Sequence, residues 1–241
     1  GEPCCAWLGH GGAGHFVKTI HNGIEYADMQ MIAEIYGILR DGFGMAASDI
    51  GAIFSEWNKG RLNSYLVEIT AAVLETEDPD SGAPIVDRIL DRAGQKGTGR
   101  WSAIEAQMMG VPATAIESAV AARSLSAERG LRQMAAKAYG GTPAASGTTP
   151  DADFIRDLEL ALFAGKIAAY AQGFAVMDQA SEEFQWNLPM PTIARIWRAG
   201  CIIRSQFLGT LAKSFEADPD AENLLLIGDF VEMMKEAHPS L

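Results

Sequence analysis

Over most of its length the sequence returns an apolar residue every three or four positions, and almost nowhere every second one. That period is the face of an α-helix, and alternation is the face of a half-buried strand. The chain is therefore predicted to be all-α, with no sheet. Its 241 residues and 48% hydrophobic side chains are enough to bury a sizeable core. One helical domain over residues 1–241 is expected, with neither an internal repeat nor an interdomain linker.

A glycine-rich opening should lead into an unusually long helix from about Gly14 to Arg40, stopped by Asp41-Gly42-Phe43-Gly44. Ser48 and Asp49 are candidate caps for a second helix through Trp57, and Asn63 or Ser64 for a third through about Glu75. Further helices are predicted over Trp101–Met109, Pro112–Ala138, Asp153–Gln185, Met190–Ala199, Ile202–Phe215 and Glu222–Ala237. Ala93–Gly99 reads as an exposed loop, and Tyr139–Pro150, full of Gly, Pro, Thr and Ala, as a surface connection.

Charge narrows the choice of partners. A formal net charge of −12, from 31 acidic against 19 basic residues, disfavours polyanions, so neither nucleic acid nor a membrane surface is expected as a partner. An anionic metabolite would need a local basic pocket. Cys4, Cys5 and Cys201 form an odd set without CxxC spacing, which suggests neither a disulfide framework nor a zinc site. The expected setting is the reducing cytoplasm. The opening GEPCCAWLGH lacks the basic lead and apolar run of a signal peptide. No uninterrupted apolar stretch nears the roughly 18 residues of a membrane helix. The first residue is not Met, which suggests a piece of something longer.

The first long helix carries Lys18, His21, Asn22, Glu25 and Tyr26 at i, i+3, i+4, i+7 and i+8. At about 100° per residue these five span roughly 140° of one face. If protein covers that face, desolvation lowers an amine's pKa and raises a carboxyl's, bringing both toward the range of an acid–base pair. If the face meets water, Lys18 and Glu25 are two solvated charges, the commoner fate of polar helix faces.

The loop Gly94-Gln95-Lys96-Gly97-Thr98-Gly99 offers a cation, a hydroxyl and exposed backbone N–H groups, the donor types an anion needs. It is not a P-loop, since Lys96 is followed by Gly97 and the spacing fails. Arg123 stands in an apolar helix and should have an anionic partner, either an internal carboxylate or a ligand phosphate. Gly9-His-Gly11-Gly-Ala-Gly14 matches the GxGxxG dinucleotide fingerprint by letter, but no strand is predicted before it, and Glu34 falls inside a helix. A tight turn that starts the helix is the better reading.

Four separated segments, GAGHFVKTIHNGIEYADMQ at 12–30, FSEWNKG at 54–60, DRAGQKGTGRW at 91–101 and RIWRAGCIIR at 195–204, closely resemble 6-phosphogluconate dehydrogenase, in order along nearly the whole chain. The resemblance implies the large helical C-terminal domain of that family and a metal-free oxidative decarboxylation of 6-phosphogluconate by NADP to ribulose 5-phosphate. It places the catalytic base at Lys18 and the acid at Glu25, which agrees with the pair picked out by helical spacing. The substrate-orienting His-Asn pair falls on His21 and Asn22, and the phosphate set on Tyr26, Lys96 and Arg123, with Thr98 as a helper. Family members also carry an N-terminal Rossmann domain holding NADP and a C-terminal tail that completes the phosphate site. These 241 residues lack both, so they are expected to be inactive alone. Two other readings compete: a helical dimerisation module without chemistry, and a domain of a related 3-hydroxyacid dehydrogenase, which leaves the GQKGTG loop unexplained. A homodimer is expected, because Ala119–Ala138 and Phe154–Ala175 offer more apolar surface than one domain readily covers.

Overall fold

The computed structural model describes residues 4–141, 143–219 and 221–241. Gly1–Pro3, at the start of the sequence, Thr142, in the predicted surface connection, and Asp220 lie outside them. Among the described residues there are eleven α-helices and no strand, only the isolated bridges Ser64–Ser205 and Glu77–Pro84. The helices are α1 (Ala13–Gly37), α2 (Ala47–Trp57), α3 (Tyr65–Glu75), α4 (Ile85–Arg88), α5 (Thr98–Met108), α6 (Thr114–Ala127), α7 (Arg129–Tyr139), α8 (Ala152–Glu183), α9 (Met190–Ile196), α10 (Phe207–Ala217) and α11 (Gly228–Ala237). The all-α expectation holds.

The core is organised by α8. Asp151 starts it, its side chain accepting the Phe154 N–H at 2.8 Å. Along its middle Leu162, Phe163, Lys166, Ile167, Tyr170, Phe174 and Met177 are buried on one face, and buried Ala164, Ala169, Ala171 and Val176 extend that arc well past half of the circumference. Such a helix is enclosed by other helices. By length and mean hydropathy α8 is also apolar enough to cross a membrane, but most of its apolar stretch is buried among its neighbours. Charges such as Lys166 interrupt its apolar run in the sequence. The same burial weakens one argument for a dimer, since Phe154–Ala175 is largely covered by the chain's own helices.

The long helix α1 lies between α8 on one side and α5 and α6 on the other. Two glycines set these distances. A Cβ added to Gly173 of α8 would stand 2.5 Å from Ile24 Cδ1, and one added to Gly99 of α5 would stand 2.5 Å from the Tyr26 ring. Between α1 and α8 the fully buried Lys166 ammonium donates to the Asp28 carboxylate. Tyr170 donates its hydroxyl to the Ile203 carbonyl at 3.2 Å and so ties α8 to the turn before α10.

The departures from the predicted boundaries have tertiary causes. The predicted helix Pro112–Ala138 is broken at Glu128, where ψ turns to 46°. There Arg132 donates to the Ser126 carbonyl at 3.0 Å and to Asp91, while the Ser126 hydroxyl accepts the Ala93 N–H at 2.9 Å. The loop before α5 thus docks on the break. Residues predicted to be helical from Ile202 instead pair with the start of α3: Tyr65 N–H donates to Arg204 O at 3.0 Å and Gln206 N–H to Asn63 O at 3.1 Å. Helix α10 therefore begins only at Phe207. Of the two candidate caps for α3, Ser64 is used, accepting the Val67 N–H at 3.3 Å. Helix α2 begins behind Ala46, which leaves Ser48 and Asp49 inside its first turn, where Asp49 still faces the positive end of the helix dipole. Asn223 caps a short 3₁₀ turn at Leu224–Leu226, so α11 starts at Gly228 and not near Glu222.

Candidate functional site

The polar face of α1 is neither wholly buried nor wholly solvated. His21 and Tyr26 are buried, Asn22 and Glu25 are half-buried, and Lys18 is exposed at the rim. Helical geometry put the five side chains on one face, and the elements packed beside α1 grade their exposure.

A hydrogen-bonded row runs along this face toward the glycine loop. Lys18 Nζ lies 3.1 Å from His21 Nδ1, and Asn22 Oδ1 lies 3.1 Å from the same ring nitrogen. Asn22 Nδ2 then donates to Thr98 Oγ1 at 2.7 Å. Thr98 opens α5, directly after Gly97, whose φ of 106° only glycine tolerates comfortably. Ser102, one turn further on, donates to the Thr19 carbonyl at 2.5 Å and clamps α5 to α1. The loop at 94–99 is therefore not a free connection.

Arg123 closes the other end of the row. Its guanidinium sits 4.3 Å over the Tyr26 ring and donates to the Gly94 carbonyl at 3.0 Å. Among the described residues no carboxylate lies within ion-pairing distance of it. The expected anionic partner is thus not an internal salt bridge. Lys96 stands exposed on the loop that Arg123 and Asn22 hold from its two ends, with no ion pair or hydrogen bond among the described residues.

Electrostatics separates the titratable groups. Burial raises the Glu25 carboxyl above its ordinary range, against the smaller downward pull of Lys18 and Arg123. Burial, helped by Lys18, lowers the His21 imidazole from its usual 6.5 to about 4, despite an opposing hydrogen bond from Asn22. His21 is therefore neutral near pH 7, and its buried Nε2 makes no hydrogen bond. Between pH 6.5 and about 4 the unfolded chain binds a proton at this site that the folded chain refuses, so stability falls as pH drops through that window and levels off below it. The loss is on the order of 3 kcal/mol. Glu25 acts in the opposite sense, favouring the folded state at low pH. Urea unfolding at the two ends of the window should thus show a pH slope in the wild type that His21→Gln flattens. Equal slopes in the two proteins would overturn the depressed imidazole.

A cleft of about 270 Å³ opens beside Lys18 and His21, walled by Trp197, Gly200, Cys201 and Cys4. Trp197 meets the His21 ring edge-on at a centroid distance of 5.3 Å. Glu25, Tyr26, Lys96 and Arg123 do not line this cleft; they lie along the same face toward α5 and α6. Sequence reasoning gave Trp197 and Cys201 no role, although both fall in the segment 195–204 that carried part of the resemblance. Only the tertiary return of that segment to α1 reveals them. The glycines at 9–14 form a turn entered without a strand, with Gly9 and Gly11 at positive φ. They do not fit a dinucleotide. Among the described residues no three His, Cys, Asp or Glu side chains cluster as metal ligands would.

Fold and site together define an all-helical domain with a half-buried polar face flanked by cations. The family model described as "6-phosphogluconate dehydrogenase, C-terminal domain" matches residues 14–241. The decarboxylating 6-phosphogluconate dehydrogenase of Candida albicans is 48% identical over 240 residues, covering 98% of this chain and 46% of that protein. The human protein of the same description is 47% identical over 240 residues, covering 100% of this chain and 50% of its own length. The solved 6-phosphogluconate dehydrogenase of Plasmodium falciparum, described in apo form, with its cofactor NADP+ and with its substrate 6-phosphogluconate, superposes with a TM-score of 0.94 at 40% identity. It is covered over 51% of its length, and this chain over 99%. The chain belongs to the 6-phosphogluconate dehydrogenase family and spans about half the length of the curated relatives it matches.

Proposed function

We propose that these residues form the substrate-binding and dimerisation domain of an enzyme that oxidatively decarboxylates 6-phosphogluconate to ribulose 5-phosphate with NADP. Lys18 takes the proton of the substrate 3-hydroxyl as hydride leaves C3 for the nicotinamide. Carbon dioxide then departs, and Glu25 protonates C1 of the resulting enediol. His21 and Asn22 orient the sugar chain. Tyr26, Lys96, Thr98 and Arg123 hold the phosphate. NADP is held mainly outside these residues, which agrees with the poor fit of the glycines at 9–14, and the reaction uses no metal.

The observation that carries this reading is Arg123, a guanidinium near Glu25 and the glycine loop with no carboxylate within ion-pairing distance among the described residues. A cation whose direct contacts among the described residues are a carbonyl, a ring and the Met29 sulfur is poised for an anion. Glu25, protonated more readily than an ordinary carboxyl, suits a proton donor. The homodimer is supported by the outer face of α5, where Trp101, Ile104 and Met108 are 51%, 47% and 80% exposed at i, i+3 and i+7. Three free cysteines, two of them exposed, suit a cytoplasmic setting.

The test is calorimetric titration of the 241-residue chain with 6-phosphogluconate, alongside gluconate and an NADPH absorbance assay. Weak saturable binding of the phosphorylated sugar, weaker binding of gluconate and no turnover are expected, because hydride transfer needs donor and acceptor carbons held within near-attack distance. A helical dimerisation module without chemistry would bind neither sugar. A domain of a related 3-hydroxyacid dehydrogenase would not distinguish the phosphorylated compound from its parent.

A further inference from the structure

Lys18 Nζ and Asn22 Oδ1 approach the same atom, His21 Nδ1, each at 3.1 Å. A neutral imidazole offers at each ring nitrogen either a proton or a lone pair, never both. The Asn22 carbonyl can only accept, so it requires Nδ1–H. A Lys18 ammonium can only donate, so it requires a bare Nδ1. Both contacts are favourable together only when Lys18 is a neutral amine whose lone pair faces the Nδ1–H. If Lys18 is an ammonium, the consistent arrangement turns the Asn22 amide over: Nδ2 faces the ring, and Oδ1 accepts from the Thr98 hydroxyl.

The orientation of the amide is thus decided at Thr98. In the structure Thr98 Oγ1 accepts from Asn22 Nδ2 at 2.7 Å, which leaves the hydroxyl proton free to donate elsewhere. The dianion of a phosphate ester has no proton to donate, and inorganic phosphate can accept through its unprotonated oxygens, so either would claim that proton and fix Thr98 as the acceptor toward Asn22. The amide is then held with Oδ1 toward His21, Nδ1 carries the ring proton, and a Lys18 ammonium faces a donor. His21 is 1% exposed, so its ring cannot turn to solvent to relieve that mismatch, and the relief falls to the Lys18 ammonium.

Resting on the substrate reading above, we infer that Thr98 is a positioning residue that couples phosphate occupancy, through Asn22 and His21, to the release of the Lys18 proton. The terminal phosphate then reports its own arrival to the base that acts at the other end of the substrate. The direction of the effect is diagnostic. A dianion acting only through space stabilises the ammonium and raises the pH at which Lys18 loses its proton, whereas the relay lowers it. The titratable or charged groups facing Lys18 are His21 and Glu25 on α1, Cys4 and Cys201 across the cleft, and Arg123 beyond Glu25. Helix α5 presents the neutral Thr98 and Ser102.

The experiment is NMR of the 241-residue chain carrying ¹⁵N-labelled lysine and histidine, titrated with pH alone, with inorganic phosphate and with 6-phosphogluconate. With either ligand bound, the Lys18 midpoint should fall by about one pH unit or more, and His21 Nδ1 should move toward the protonated ring-nitrogen position. Thr98→Ser should reproduce both changes. Thr98→Val, and Asn22→Ala as a second break in the same chain, should bind ligand more weakly and, once saturated at higher ligand concentration, lose both changes, with the Lys18 midpoint rising instead. A fall of equal size in Thr98→Val, or a rise in the wild type, overturns the coupling and leaves the substrate reading intact. Failure of both probes to bind at all removes the substrate reading and the coupling with it.

Discussion

Lys166→Met is expected to remove about 3–5 kcal/mol of folding stability, the usual consequence of leaving one member of a buried ion pair alone. The setting makes a large loss unavoidable. Lys166 and Asp28 have side chains 1% and 2% exposed, at the crossing of α1 and α8. Asp28 Oδ1 already lacks a partner, so without the ammonium the whole carboxylate would be desolvated among apolar side chains. The double variant Asp28→Leu with Lys166→Met should recover most of the loss, because a well-packed apolar pair of similar volume removes both desolvation penalties. Urea unfolding of the wild type, the single and the double variant measures this directly. A single variant within about 1 kcal/mol of the wild type would mean that water reaches the pair.

The second large effect falls on ligand binding. Lys96→Ala or Arg123→Ala should each weaken 6-phosphogluconate binding by about 1.5–3 kcal/mol, the worth of a charge-assisted hydrogen bond, and the double variant by at least roughly 100-fold. Arg123→Lys should retain only part of the affinity. An ammonium keeps the charge but cannot both bridge to the Gly94 carbonyl and lie flat on Tyr26 while presenting a planar fork to an anion. Folding should barely register the loss of Lys96, which is exposed and unpaired among the described residues. Calorimetry supplies the affinities, and unfolding curves confirm that the variants are intact. Undiminished binding by the double variant would move the phosphate elsewhere and dismantle the site.

How much of this was legible beforehand follows from what each feature depends on. The row Lys18, His21, Asn22, Glu25 and Tyr26 could be read directly, because a helix of fixed pitch leaves no freedom over which face these positions share. The glycine loop was visible as donor chemistry, and Ser64 as one of two capping residues. The fingerprint at Gly9–Gly14 could be dismissed because its meaning depends on a strand that the period of the sequence does not supply. None of this distinguished a catalytic face from a solvated one. Burial of His21 comes from Trp197, far along the chain, and the raised carboxyl of Glu25 from the walls that close round α1.

What the sequence determined by itself is therefore what depends on local period and local chemistry: helices, their approximate extents, and the side chains that share a face. What only the tertiary structure decided depends on partners distant in the chain. The helix break at Glu128 belongs to Arg132 and the docked 91–93 loop, the late start of α10 to its pairing with residues 63–65, and the unneutralised state of Arg123 to the absence of any carboxylate within reach among the described residues. Hydrogen bonds and desolvation act over a few ångströms of space regardless of separation along the chain, so period and spacing cannot encode them where a reader of one sequence can see them.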